Sequence, residues 1–398
     1  MFHCGSNYAV VVSIFLDNHS TTRLDPRVLK AMMPWLTDHY GNAGSTTHAM
    51  GRDARDVVEL SRDTIASVVG ASAREIVFTS GATESNNLAI LGTASRHADG
   101  GHLVTIETEH PAVLDPFDHL ERKGYAVTRL PVERMTGLLD SAVLKTVLQA
   151  ETFLVSISLA NNEIGTIQDI PSLAGIVHDC GAVLHVDCAQ AVGRVPLNMD
   201  ALGIDLASFS AHKFHGPKGV GSLYVRRRDR PVRVDPLVYG GGQERGMRSG
   251  TLNIPSIVGM AEAARLAQHH GESESFIIGK QRNRLWEFLE RDIPDIAING
   301  PSLSNEATRL PNNLNVHIPG VDGQTLLSTL ANEGLAISAG SACSSENPRP
   351  SHVLQAIGLS EDEARSSLRF GLSRFTSDQD IKQAAALVAA GVKKLRCL

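Results

Sequence analysis

Short apolar runs separated by polar, helix-like stretches organise the first two thirds of the chain. The runs are Glu75-Ile76-Val77-Phe78-Thr79, Leu103-Val104-Thr105-Ile106, Phe153-Leu154-Val155-Ser156-Ile157, Ala182-Val183-Leu184-His185-Val186-Asp187 and Leu206-Ala207-Ser208-Phe209-Ser210. Their length and β-branched content predict buried strands. After the first run, Ser80-Gly81 turns into a predicted helix through Asn87 and Ile90. Strands that alternate with helices predict an α/β fold with a mostly parallel sheet covered on both faces. In such sheets ligands bind beyond the carboxyl ends of the strands, so the polar residues that follow these runs become the candidates for chemistry.

The pattern changes further on. A helix is predicted from about Ile257 to His269, then a polar hinge at Gly271-Glu272-Ser273-Glu274-Ser275, then a helix from Lys280 to Glu290. Strands near Asn313-Val316 and Ala336-Ser338 and a final Ala-rich helix from Asp378 to Leu395 complete a smaller α+β unit. This divides the chain into a large domain, residues 16–262, and a small one, residues 1–15 with 263–398. The run Tyr8 to Leu16 predicts a buried strand entering the fold. It is too short to span a bilayer, and no Lys or Arg precedes it as in a signal peptide.

Composition narrows the picture. A length of 398 residues suits two domains, and 42% hydrophobic with 20% charged residues describes an ordinary globular protein. The net charge of -6 gives no reason to expect binding to nucleic acid. The basic run Arg226-Arg227-Arg228-Asp229-Arg230 is expected to be a solvated hairpin or loop end. Five cysteines, Cys4, Cys180, Cys188, Cys343 and Cys397, are too irregularly spaced for a disulfide framework, and none has the CxxC spacing of a zinc site. A reducing, cytoplasmic location is expected.

Several residues then draw attention. Lys213 follows a strand and precedes a Gly-Pro turn. Buried, it would be a nucleophile toward an aldehyde; exposed, it is a turn lysine. Asp187 closes a strand, where it either caps a helix or faces a cationic partner such as a protonated pyridine nitrogen. Ser80-Gly81-Ala82-Thr83 forms a strand-to-helix turn whose free amides suit a phosphate. His110, after Glu109, could stack on an aromatic ring or be structural. Arg369 reads equally as a carboxylate clamp or an ordinary ion pair. Cys343 sits among small and polar residues before Pro348 and Pro350, the setting of an accessible nucleophile rather than a core cysteine.

Taken together, these motifs resemble the cysteine desulfurases of the NifS/IscS type, within the class V aminotransferase-like, fold-type I enzymes that use pyridoxal 5'-phosphate. The resemblance runs from Leu16-Asp17-Asn18-His19-Ser20-Thr21-Thr22 to Arg369-Phe370 and Arg374-Phe375-Thr376. It implies a seven-stranded, mostly parallel sheet in the large domain. It implies that Lys213 carries the cofactor, that His110 stacks on its ring and helps proton transfer, that Asp187 pairs with the ring nitrogen and that Gln190 bonds the ring oxygen. Ala82, Thr83, Ser210 and His212 would hold the phosphate, Thr251 would reach the phosphate of the other subunit of a homodimer, and Asn162 would touch cofactor and substrate. Arg369 would clamp the carboxylate of L-cysteine. Cys343 would take the sulfur as a persulfide and hand it to an acceptor protein, an iron–sulfur scaffold or a modification enzyme. No resident metal is implied, although Cys343 could share an iron–sulfur cluster in passing; neither is direct nucleic-acid or membrane contact.

The sequence also departs from that family. Position 188 is Cys where Ala is usual, His110 is followed by Pro111 rather than lysine, and Gly41-Asn42-Ala43-Gly44-Ser45 replaces a more usual segment. The chain ends at Leu398, where housekeeping members carry a tail for their scaffold. The Asn42-Ala43-Gly44-Ser45 segment and the short tail resemble the desulfurases that serve DNA phosphorothioation, which brings in a second destination for the sulfur. Selenocysteine lyase and a non-catalytic scaffold are the rival functions.

Overall fold

A computed structural model describes residues 14–339 and 350–397. The strands are β1 (Ile14–Phe15), β2 (Ile76–Thr79), β3 (His102–Ile106), β4 (Ala126–Leu130), β5 (Thr152–Ser158), β6 (Val183–Asp187), β7 (Leu206–Ser210), β8 (Gly221–Val225), β9 (Ala297–Asn299), β10 (Asn313–His317), β11 (Leu335–Ala336), β12 (Ser338–Ala339) and β13 (Ser367–Gly371). Seven of them form one sheet in the order β2-β8-β7-β6-β5-β3-β4. Strands β4, β3, β5, β6 and β7 run parallel, and only β8 opposes its neighbours. The exception has a local cause. β8 follows β7 through the short connection of residues 211–220, and a short connection reverses direction, whereas the longer connections in this sheet return the chain to run parallel.

All five strands predicted from the apolar runs lie in this sheet. Strands β4 and β8 escaped that pattern. β4 is an edge strand, half exposed and containing Thr128 and Arg129, so it lacks an apolar run. The central strands β3, β5, β7 and β8 are buried along their whole length, as expected for a sheet covered on both faces.

A second, antiparallel sheet has the order β12-β13-β10-β9, and β1 pairs with β11. Its own apolar core joins Leu16, Leu285, Leu289, Leu314, Phe370 and Val388.

The polar hinge predicted at residues 271–275 is not a break. A single helix runs from Ile254 to Asp292. The segment contains no proline, and Gly271 is there for close packing. A Cβ at that position would stand 2.8 Å from the Gly193 carbonyl oxygen. The basic run after β8 also differs from expectation at its first residue. Arg226 is buried and donates to the carbonyls of Ile204 and Met199, while Arg228 pairs with Glu75 and Asp200. Among the described residues, no helix is long and apolar enough to cross a membrane.

Candidate active site

Strand β2 runs in the same direction as β7, so the carboxyl ends of β2, β3, β5, β6 and β7 share one edge of the sheet. Lys213 ends the 3-10 turn Ala211–Lys213 that follows β7. Its Nζ donates to the carbonyl oxygens of His19 at 2.6 Å and Ser20 at 2.7 Å. Burial, reinforced by the charges of Arg369 and Arg194, pushes its amine down to about 8. The reading of Lys213 as an exposed turn lysine is thereby excluded.

Asp187 ends β6 and is buried. One carboxylate oxygen accepts from the Asn86 side chain at 2.8 Å, and the other accepts the Ala189 N–H at 2.9 Å. No helix follows Asp187, so the helix-cap reading fails; one oxygen closes a turn and the other is oriented by the Asn86 amide. His110 caps the helix Pro111–Arg122, with Pro111 at the first helical position, where its fixed φ and missing N–H suit the start. The His110 ring Nδ1 accepts the Ala112 N–H at 3.0 Å, which places the proton of the neutral ring on Nε2. Burial lowers the His110 pKa, favouring that neutral form.

Sequence reasoning left His19 without a role. It is buried, and burial together with nearby Arg369 and Arg194 holds its ring well below the usual histidine range. Gln190 is engaged with it: Nε2 donates to the His19 carbonyl at 3.0 Å, and Oε1 meets the ring Nδ1 at 3.2 Å. The signal was present in the Leu16–Thr22 motif, but nothing local says what a histidine there touches.

The helix Ala82–Ala94 begins with Gly81 at φ 155. Ala82 and Thr83 lie in its first turn, where backbone donors lack intrahelical partners. A Cβ on Gly81 would meet Ser210 Oγ at an ordinary 3.6 Å, so it is the positive φ rather than lack of space that favours glycine here. His212 meets Thr21 Oγ1 at 3.1 Å and is pushed down to about 4, mainly by burial. Thr251 is not brought into this group; it lies exposed before the helix Ile254–Asp292.

Arg369, on β13, is buried. Nη2 donates to Asp17 Oδ1 at 3.0 Å and to Ser338 Oγ at 3.1 Å, and Nη1 donates to the Asn162 carbonyl at 3.2 Å. Asn162 is thus placed at the site through its backbone. Glu109 and Glu163 were not singled out from sequence, yet both are buried acids here. Burial pushes Glu109 up to about 8, and its Oε1 accepts the Ser158 N–H at 2.6 Å. Glu163 accepts from Ser351 Oγ at 2.5 Å.

Cys343 and Cys4 lie outside the described residues. Cys188 is buried, and desolvation with nearby Asp187 raises its thiol well above the ordinary value. It stays protonated and packs in the core.

The site can be asked whether it fits a phosphorylated pyridine aldehyde. Among the described residues, three buried polar atoms at this end have no hydrogen-bond partner: Asn86 Oδ1, Glu109 Oε2 and Arg369 Nε. A desolvated amine, an oriented carboxylate, a neutral histidine and an open helix start stand around them. The residues fit the group: an amine for the aldehyde, an acid for the ring nitrogen, and backbone donors for the phosphate.

The sequence matches the family described as Aminotransferase class-V over residues 14–384. It is 48% identical over 386 residues to "Cysteine desulfurase IscS" of Anaeromyxobacter dehalogenans (strain 2CP-C), covering 97% of this chain and 94% of that protein. It is 43% identical over 390 residues to "Cysteine desulfurase IscS" of Rickettsia bellii (strain OSU 85-389), covering 98% and 93%. A solved structure described as "NIFS-LIKE PROTEIN" superposes with a TM-score of 0.88 at 36% identity, covering 97% of this chain and all of that one. The structure of DndA from Streptomyces lividans superposes at 0.75 with 39% identity, covering 89% and 98%.

Proposed function

The chain belongs to the class-V aminotransferase family and is a pyridoxal 5'-phosphate-dependent cysteine desulfurase, and from that premise we propose the residues that do the work. Lys213 holds the cofactor. Asp187, oriented by Asn86, faces its ring nitrogen, and His110 stacks on the ring. Gln190 and Asn162 line it, while Ala82, Thr83, Ser210 and His212 hold the phosphate, joined by Thr251 of a partner copy in a homodimer. When bound, the cofactor supplies an electron sink for charge developing at the substrate Cα.

The chain's own groups act around that sink. Arg369 grips the carboxylate of L-cysteine. Lys213, released by the substrate amine, takes the Cα proton, which a neutral amine with a pKa of about 8 can do near neutral pH. His110, neutral with its proton on Nε2, is placed to share in proton transfer. The Cys343 thiolate attacks the substrate sulfur, the C–S bond breaks, and alanine leaves with a proton at Cβ. Cys343 then carries a persulfide for an acceptor protein. The acceptor proposed is an iron–sulfur assembly protein, in a cytoplasmic setting. The large domain, residues 16–262, holds the cofactor, and the small domain, residues 1–15 and 263–398, carries Cys343 and Arg369.

The observation that carries this reading is the buried, deprotonation-prone Lys213 facing Asp187 and Arg369 across one edge of the sheet. A Cys343→Ala enzyme is expected to keep its cofactor band and to pass no labelled sulfur to any protein in a native extract. Normal alanine and sulfide turnover by that variant would overturn the assignment. With the intact enzyme, the protein that takes the label names the acceptor, and label entering DNA would replace the iron–sulfur reading.

A further inference from the structure

Arg369 is held in a way that leaves it unable to grip a carboxylate with two prongs. A guanidinium offers a planar carboxylate two forks, Nε with Nη2 and Nη1 with Nη2, and both include Nη2. Here Nη2 is fully engaged, by Asp17 Oδ1 at 3.0 Å and Ser338 Oγ at 3.1 Å. Nε is buried and, among the described residues, has no hydrogen-bond partner. The fork is therefore half free and half blocked, and what blocks it is itself a carboxylate.

Asp17 is built into that position. Ser338 Oγ donates to the same Oδ1 at 2.7 Å, and Ser20 Oγ donates both to Oδ2 and, at 2.8 Å, to the Asp17 carbonyl. The same short turn lends the carbonyls of His19 and Ser20 to Lys213 Nζ. One segment, residues 17–20, thus touches both the amine and the carboxylate clamp of the site.

We propose that Asp17 is a positioning and specificity residue: it orients Arg369 and occupies the fork until a substrate carboxylate displaces it. Only a ligand that completes the fork at Nε as well as Nη2 outcompetes the internal carboxylate, so anions bound through a single contact are turned away. This inference rests on the reading of Arg369 as the substrate carboxylate clamp.

The test uses cofactor-loaded enzyme titrated with L-alanine and with ethylamine, which differ by the carboxylate alone, following the visible cofactor band. Asp17→Asn keeps the shape and the acceptor oxygen but removes the competing charge. L-Alanine is expected to bind roughly tenfold tighter, the weight of one charge-assisted hydrogen bond over a neutral one, while ethylamine binding does not move. KM for L-cysteine falls and kcat does not rise. If Asp17→Asn does not fold, Ser338→Ala, which frees the other hydrogen of Nη2, is expected to tighten alanine in the same direction by a smaller factor. Alanine binding that is unchanged or weakened in a folded variant overturns the proposal, as does equal tightening of ethylamine. Arg369→Ala separates the two readings. If it leaves alanine binding intact, the clamp itself is wrong; if it weakens alanine while Asp17→Asn fails to tighten it, only the role of Asp17 falls.

Discussion

Two cations largely removed from solvent, one at the end of the seven-stranded sheet and one beside the four-stranded sheet, are given different surroundings. Lys213 is given two carbonyl oxygens and two cationic neighbours, Arg369 and Arg194, and burial with those charges brings its pKa down to about 8. Arg309 is given four oxygen contacts: the carbonyls of Asn299 at 2.9 Å, Pro301 at 2.5 Å and Asn313 at 3.4 Å, and Asn313 Oδ1 at 3.0 Å. Burial pushes Arg309 down as well, to about 9, a unit above Lys213 and with more oxygen contacts to hold its charge. The difference lies in what each charge is for. Arg309 ties the chain between β9 and β10 by satisfying carbonyls that would otherwise be buried and unpaired. Lys213 must be able to lose its proton, so the fold lets desolvation work against it.

The largest effect expected from this comparison is on turnover. Lys213→Ala should reduce alanine formation by at least ~1000-fold, the scale of a lost acid–base and covalent group, with thermal stability unchanged or higher. Reductive methylation with formaldehyde sharpens the point. In cofactor-free enzyme, labelling of Lys213 should rise with pH through a midpoint near 8, because burial holds its amine there. A midpoint above 10 would place Lys213 among ordinary surface lysines and break the contrast.

Arg309→Ala should do the reverse. It removes the guanidinium donor from three buried carbonyls, and the cost should be about 3–5 kcal/mol, as for other broken buried networks. Unfolding in denaturant measures it. A loss under ~1 kcal/mol would mean that water enters and replaces the guanidinium.

How much of this could be seen in the sequence follows the range of the contacts. Lys213, Asp187, His110 and the Gly81 turn were legible because each follows an apolar run, and the strand-end rule turns sequence position into spatial position. Asp17, His19 and Arg309 were not. Asp17 meets Arg369, and His19 meets Gln190 and Asn313, across gaps in the chain that no local pattern encodes. The long helix Ile254–Asp292 was missed for a different reason. Its middle is polar because it faces solvent on one side, and a polar stretch in a long helix reads like a hinge. Edge strand β4 was hidden in the same way, since half-exposed strands need few apolar residues.

The smallest effect concerns Glu109, which belongs with Lys213 in this comparison. Its buried carboxyl is pushed up to about 8, chiefly by desolvation, with the Asp187 charge adding to the rise. A free glutamic acid ionises near ~4.3. Between those values the folded chain holds a proton that the unfolded chain has released. The stability that the neutral carboxyl contributes is therefore complete below ~4.3 and is lost as pH rises through 8. Glu109→Gln keeps an acceptor for the Ser158 N–H but has nothing to ionise. The stability of the variant relative to the natural chain should thus improve by on the order of 1 kcal/mol per pH unit from pH 6 to 8, and level off above. Denaturant midpoints at four or five pH values measure that gap. A gap that stays flat from pH 6 to 9 would show Glu109 ionised in the fold. The cofactor end of the sheet would then hold a buried carboxylate in place of a neutral acid.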